Sequence, residues 1–229
     1  MRPPEFIEVV CALCGREGSY MEPRAGAEIH PPDFDTRPGE FVRSTVTEWI
    51  QLCPHCGYAA PEVDKAHPAA AEIVRSHEYQ NRLAGPGLPE DARRFAAHSF
   101  LLERLGQFAD AGWTMLHAAW VCDDIPDAEA ARRCRMEAIS LWRRGKAAGQ
   151  KFMDDYGQEF ALAADVLRRA GEFDSARETC LEGLALDHVA PLVEDLLRRQ
   201  LTLIQQRDMS VHSMAELPQR RRGRRVRLE

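Results

Sequence analysis

The sequence contains no run of about 18 apolar residues, so no segment is suited to cross a bilayer as a helix. Its opening, "MRPPEFIEVV", lacks the apolar core of a secretory signal. Both absences point to a cytoplasmic protein with no membrane partner. Equally missing are a glycine-rich phosphate loop, a G-x-S-x-G nucleophile elbow, an H-E-x-x-H metalloprotease helix and a cysteine with a placed base. No catalytic residue is assigned, and the expectation is a protein that is not an enzyme.

What the chain does have is cysteine in a telling arrangement. Seven occur in 229 residues, four of them in the pairs "CALCG" (Cys11, Cys14) and "CPHCG" (Cys53, Cys56). Thiols stay reduced in the cytoplasm, so paired cysteines there read as metal ligands rather than as a disulfide framework. Cys122, Cys134 and Cys180 lie singly in helical patterns, where a cysteine behaves as a small buried hydrophobe.

Zn²⁺ imposes no ligand-field geometry and settles into a tetrahedron of thiolates. A C-x-x-C turn brings two sulfurs to one ion, and a glycine after the second cysteine lets the backbone close around it. Two such knuckles complete a four-cysteine site. Each follows a strand-like stretch, "FIEVV" before Cys11 and "TVTEWIQL" before Cys53, with Val46, Ile50 and Leu52 expected on one face. The expectation is a zinc ribbon holding one structural Zn²⁺. Four thiolates leave no position open for water or substrate, and His55, inside the second pair, is expected to face solvent.

The gap between the pairs exceeds the usual knuckle spacing of roughly 15–20 residues, which implies an insertion. Its segment "HPPDFDTRPGEFVRSTVTEW" holds Pro31, Pro32, Pro38 and Gly39, which disfavour a helix. Asp33, Asp35, Arg37, Glu40 and Arg43 mix both charge signs there. Two readings stand: a polar surface site formed by Asp33, Asp35, Arg37 and Arg43, or an ion-pair network pinning the loop to the zinc module.

Beyond Tyr58 the pattern turns helical. One helix is expected within "DKAHPAAAEIVRSHEYQNRL", ended by "AGPGLP" at residues 84–89, and strong helix formers continue from Glu90 to about Gln206. Two stretches repeat at an offset of 65 residues: Gly106 and Gly171, Phe108 and Phe173, Ala111 and Ala176, Met115 and Cys180, Ala118 and Gly183. A glycine to end one helix, an aromatic under the turn and small residues on the next helix describe a helical hairpin. The intervening "DAEAARRCRMEAISLWRRGKAAG" reads as one long helix. Trp113, Leu116 and Trp120 share a helical face expected to be buried.

These hairpins resemble the tetratricopeptide repeat, with Phe95, Leu102, Phe160 and Leu167 in the preceding helices, although Asp123 and His188 replace its closing proline and Ser99 stands at a small apolar position. Together with the knuckles, "PDFDTRP" and "CPHCGYAAPE", the chain also resembles, over roughly residues 8–186, a bacterial family known only as domain of unknown function 2225. That resemblance implies a zinc ribbon joined to tetratricopeptide-like helices, with no established activity.

The C-terminal "PQRRRGRRVRLE" places Arg220, Arg221, Arg222, Arg224, Arg225 and Arg227 in one run. It takes six of the 30 basic residues and leaves 24 against 35 acidic ones in residues 1–218. Such a run suits nucleic acid or an acidic partner. The expected fold is α+β and mostly α: a ribbon with inserted loop over 1–62, a connecting helix and linker over 63–89, repeat-like helices over 90–206 and a disordered arginine-rich tail over 207–229. The function that follows is a protein-interaction adaptor, with nucleic-acid association through ribbon and tail as the alternative and an enzyme third.

Overall fold

A computed structural model of the chain describes residues 5–21, 30–125 and 127–218. The fold is α+β and mostly α. Two small antiparallel hairpins come first in the sheet order: β1 (Phe6–Val10) with β2 (Glu17–Met21), and β3 (Gln51–Leu52) with β4 (Ala59–Ala60). A single helical turn, α1 (Glu40–Arg43), lies between them. There follow α2 (Ala70–Arg75), α3 (His77–Ala84), α4 (Glu90–Arg104), α5 (Phe108–Asp124), α6 (Ala128–Ala147), α7 (Gln158–Arg169), α8 (Phe173–Leu184) and α9 (Pro191–Gln205).

The repeated sequence gives a repeated turn. Gly106 and Gly171 both adopt left-handed backbone, φ 77° and 80°. In each the next residue reaches back over the glycine, Gln107 N–H to Leu102 C=O at 2.9 Å and Glu172 N–H to Leu167 C=O at 3.0 Å, which satisfies a carbonyl the helix end would leave open. The small residues are needed where the helices meet. Ala111, Ala118 and Ala176 are fully buried, and a Cβ on Gly183 would sit 2.8 Å from that of Phe160. Ser99, the departure from the apolar pattern, donates its hydroxyl to Ala111 C=O at 2.9 Å, so its burial leaves no orphaned group. Between the hairpins α6 runs as one 20-residue helix, capped by the Asp127 carboxylate on Ala130 N–H.

Two expectations on local structure change. "TVTEWIQL" is not an extended strand: Val46–Trp49 forms a 3₁₀ turn and only Gln51–Leu52 pairs in a sheet. β4 offers just Ala59 and Ala60 as partners, and Trp49 turns into the aromatic cluster described below. Val46 and Ile50 are nonetheless both buried. The connecting helix is two helices, broken at Ser76, whose hydroxyl caps α3 through Tyr79 N–H.

An aromatic spine joins the hairpin region to the helices. His117 of α5 sits between Trp49 (centroids 5.0 Å apart) and Trp120 (4.7 Å), with Trp113 beyond it and Trp142 and Phe152 stacked at 4.6 Å. All four indole N–H groups have acceptors: Thr45 Oγ1, Phe152 C=O, Asp35 Oδ2 and Ala109 C=O. Each ring thus delivers apolar area without an unmet polar cost.

Burial holds two histidines neutral. His98 hydrogen-bonds Ala59 C=O through Nδ1 at 2.9 Å. Burial pushes both His98 and His117 down from 6.5 to about 4. A depressed folded value means that the unfolded chain binds the proton first, so stability is full above pH 6.5 and declines as pH falls from about 6.5 to about 4. The shift of His98 corresponds to about 3 kcal/mol, with a smaller contribution from half-buried His117. Urea unfolding between pH 7 and 4 should show this decline, and a folded His98→Gln variant should show a shallower one.

Candidate metal centre

Each knuckle sits at the tip of a hairpin. β1 delivers Cys11 and Cys14 into the turn before β2; β3 delivers Cys53 and Cys56 before β4. The two turns are closed by the same bonds. Cys11 N–H donates to Arg16 C=O (3.0 Å) and Gly15 N–H to Cys11 C=O (2.9 Å), while Cys53 N–H donates to Tyr58 C=O (2.8 Å) and Gly57 N–H to Cys53 C=O (3.0 Å). Gly15 and Gly57 take φ of 69° and 75°, a backbone that side-chain-bearing residues adopt only at a cost. A Cβ on Gly57 would in addition lie 2.8 Å from Leu83 Cδ2.

The four sulfurs converge within 4.8 Å of one another. Cys11 to Cys56 and Cys14 to Cys53 both measure 3.7 Å. A tetrahedron with metal–sulfur bonds of about 2.3 Å has edges of about 3.8 Å, so the spacing and the all-thiolate donor set fit a four-coordinate metal ion. Burial pushes the Cys11 and Cys56 thiols up. Burial also raises that of Cys53, but the Cys56 and His55 amide donors outweigh it and hold the group at about 7. His55 is exposed and bonds Glu17 C=O at 3.0 Å; it is not among the converging ligands.

The hairpins differ in their support. β4 is tied to the helices by Ala59 N–H to Tyr79 Oη, Tyr79 O–H to Gly57 C=O and the His98 bond, each 2.9 Å. The first hairpin meets the rest of the chain through Ala12 N–H to Val63 C=O (2.9 Å), the His55–Glu17 contact, its thiols and the packing of Tyr20, Ile7, Val9 and Leu13 against the core.

The polar insertion is not a surface site. Asp33, Asp35 and Arg37 are 5%, 0% and 4% exposed, and only Arg43 retains appreciable access. Nor does the network grip the cysteine knuckles. Asp35 accepts from Trp120 Nε1 of α5 (2.9 Å) and pairs with Arg169 of α7 (2.6 Å); Arg169 also binds Asp123 (2.6 Å), which Arg135 of α6 engages in turn (2.5 Å). Arg37 chelates Asp124 at 2.6 and 2.7 Å, and Arg43 binds Asp33 at 2.6 Å. The loop is therefore bolted to the helices. Burial raises the Asp35 carboxyl, but Arg169 and Arg135 outweigh it and bring the group below the usual range. Thr36 carries φ 67°, unusual for a β-branched residue, and is held by its N–H to Asp33 C=O (2.9 Å).

Sequence reasoning missed Asp124 and Arg169 as direct partners of that loop, and Asp123, Arg135, Asp165 and Arg168 in the network around them, because paired arginines resemble a solvated helix face. Their phase was available: Asp165 and Arg168 share the α7 face with Ala161 and Ala164, all of them buried. Residues 207–218, expected as part of a disordered tail, are an ordered strap over this loop. Phe34 N–H donates to His212 C=O and Met214 N–H to Pro32 C=O, each at 2.9 Å. Arg220, Arg221, Arg222, Arg224, Arg225 and Arg227 lie outside the described residues.

Comparison with protein-family models, with curated proteins and with solved structures finds no match to this chain. The geometry alone carries the functional reading. Among the described residues no helix is long and apolar enough to cross a membrane. A groove of about 220 Å³, lined among others by Lys146, Lys151, Phe152, Tyr156 and Glu159, continues into one of about 120 Å³ between α6, α7 and α8, lined by Trp142, Arg143, Phe160, Thr179 and Glu182. Its lining combines the aromatic rings of Trp142, Phe152, Tyr156 and Phe160 with charged side chains of both signs, Arg143 and Lys146 of α6, Glu159 of α7 and Glu182 of α8, and Lys146 lies over the Phe160 ring (5.3 Å).

Proposed function

We propose that the chain is a non-enzymatic interaction adaptor in which a structural Zn²⁺ holds the two hairpins and tetratricopeptide-like helices offer a docking groove for a protein or peptide. It is a candidate member of the family described as domain of unknown function 2225. The observation that carries the reading is the groove along α6, α7 and α8, whose lining combines aromatic rings with charged side chains of both signs. Such a surface suits a peptide that buries an apolar side chain between charged flanks. The four thiolates support a structural role for the metal, since a closed tetrahedron leaves no position for substrate.

The ribbon surface weighs against nucleic acid. The exposed face of the first hairpin carries Phe6, Glu8, Val10, Glu17 and Ser19, and carboxylates there would repel phosphate.

Affinity purification from the native host tests the adaptor. The exposed charge reversals Lys146→Glu and Glu182→Lys should together reduce capture of a wild-type-specific protein at least tenfold, whereas deleting residues 219–229 should not. Capture that ignores the groove variants, but is abolished by nuclease or by that deletion, would replace this reading with nucleic-acid association.

A further inference from the structure

His212 sits in the strap with a carboxylate on each ring nitrogen. Nε2 lies 3.0 Å from Asp208 Oδ2 and Nδ1 lies 2.8 Å from Glu216 Oε2. Ionised carboxylates accept hydrogen bonds only, and a neutral imidazole has a single N–H. Both contacts are satisfied together only when the ring is an imidazolium. The other face of the clasp is equally built. The ring stacks on Phe34 (5.9 Å, 28°), and Ser210 Oγ approaches Nε2 at 3.2 Å. Around it, Arg199 of α9 reaches Glu216 (3.4 Å) and Arg168 of α7 donates to Asp208 C=O (2.6 Å). Hydrogen bonds from Ser210, and then from His212, hold the Asp208 carboxyl well below the ordinary range, so it stays ionised.

The clasp closes onto something. Immediately beside it the strap forms its backbone bonds to Pro32 and Phe34 and its bridge between Ser213 and Asp33. Met214 becomes one wall of an apolar cavity of about 140 Å³, together with Phe34, Leu162, Val193 and Leu196.

We propose that residues 208–217 are a pH-sensitive clasp, locked by protonated His212 between Asp208 and Glu216, which holds Met214 as one wall of the apolar pocket between the "PDFDTRP" loop, α7 and α9. The clasp is tightest when the ring carries its proton and loosens when that proton is lost. Loss of the proton removes one of two charge-assisted hydrogen bonds and the charge behind the other. The strap then loosens from the loop while the helices stay folded. Because no residue of the clasp lines the α6–α8 groove, it stands whether or not that groove docks a partner.

Hydrogen–deuterium exchange on the full metal-loaded chain, corrected for intrinsic rates between pH 5.5 and 8.5, tests this. The reporters are the amides of Phe34 and Met214, which bond across the clasp. Their protection should fall about three- to tenfold over that range, while amides within α4 and α5 keep theirs. His212→Gln should give the low value at both pH values. Glu216→Gln, an exposed change whose amide oxygen can still accept from Ser213 N–H, should flatten the pH dependence if His212→Gln is unstable. Protection of Phe34 and Met214 that is independent of pH in the wild type, or unchanged in Glu216→Gln, would overturn the proposal.

Discussion

Asp35→Ala should lower the unfolding free energy by about 3–5 kcal/mol, read as a reduced urea midpoint at unchanged slope. Asp35 is completely buried and serves three partners at once, the Arg169 guanidinium, the Trp120 indole and the Arg37 backbone N–H. Removing it strands most of a buried positive charge, because Asp123 must then serve both Arg169 and Arg135. It also leaves the indole N–H without an acceptor in a dry site. Domains of this size are stable by about 5–15 kcal/mol, so the variant should be partly unfolded at 37 °C. The double variant Asp35→Leu/Arg169→Met removes both charges and should recover part of the loss, since an ion pair replaced as a unit costs far less than one that is broken. A double variant no better than the single one would mean that shape, and not charge, governs the site.

Metal removal should act locally. An isolated two-stranded hairpin is marginal in water, and the first hairpin depends on its thiols for much of its attachment. Chelation, or Cys53→Ser, should release residues 6–21 to fast amide exchange. The β3–β4 hairpin should retain partial protection through Tyr79 and His98, and far-UV circular dichroism should keep nearly all of its helical signal. Elemental analysis should find one zinc per wild-type chain and a substantially reduced content in the variant. Full metal retention by Cys53→Ser would count against the four-thiolate site, and simultaneous melting of α4–α8 would contradict the local picture.

The parts that the sequence made legible are those whose physics is local. Knuckle turns announce themselves because glycine must follow the second cysteine. Helical hairpins do so because glycine, aromatic and small residues must recur in phase. The fate of "PDFDTRP" was not local. Its charges could be read as a site or as a brace, and the choice depended on Arg169 and Trp120, far along the chain and unmarked by any spacing. "TVTEWIQL" misled for a related reason: alternation promised a strand, but too short a partner was available, and the ring of Trp49 found a better home against α5. The strap was hidden by composition, since polar residues beside an arginine run look solvated, whereas two backbone bonds to the loop and a stacked His212 fix it in place.

The path of the loop between the two cysteine pairs has a practical consequence. A fragment beginning at Glu90 would carry every residue of the helical hairpins yet lack Asp35 and Arg37, leaving Arg169 with Asp123 alone and Asp124 without its guanidinium partner. The polypeptide that looks separable on paper into a metal-binding head and a helical body shares one electrostatic keystone, and dissecting it for expression would remove that stone from the arch.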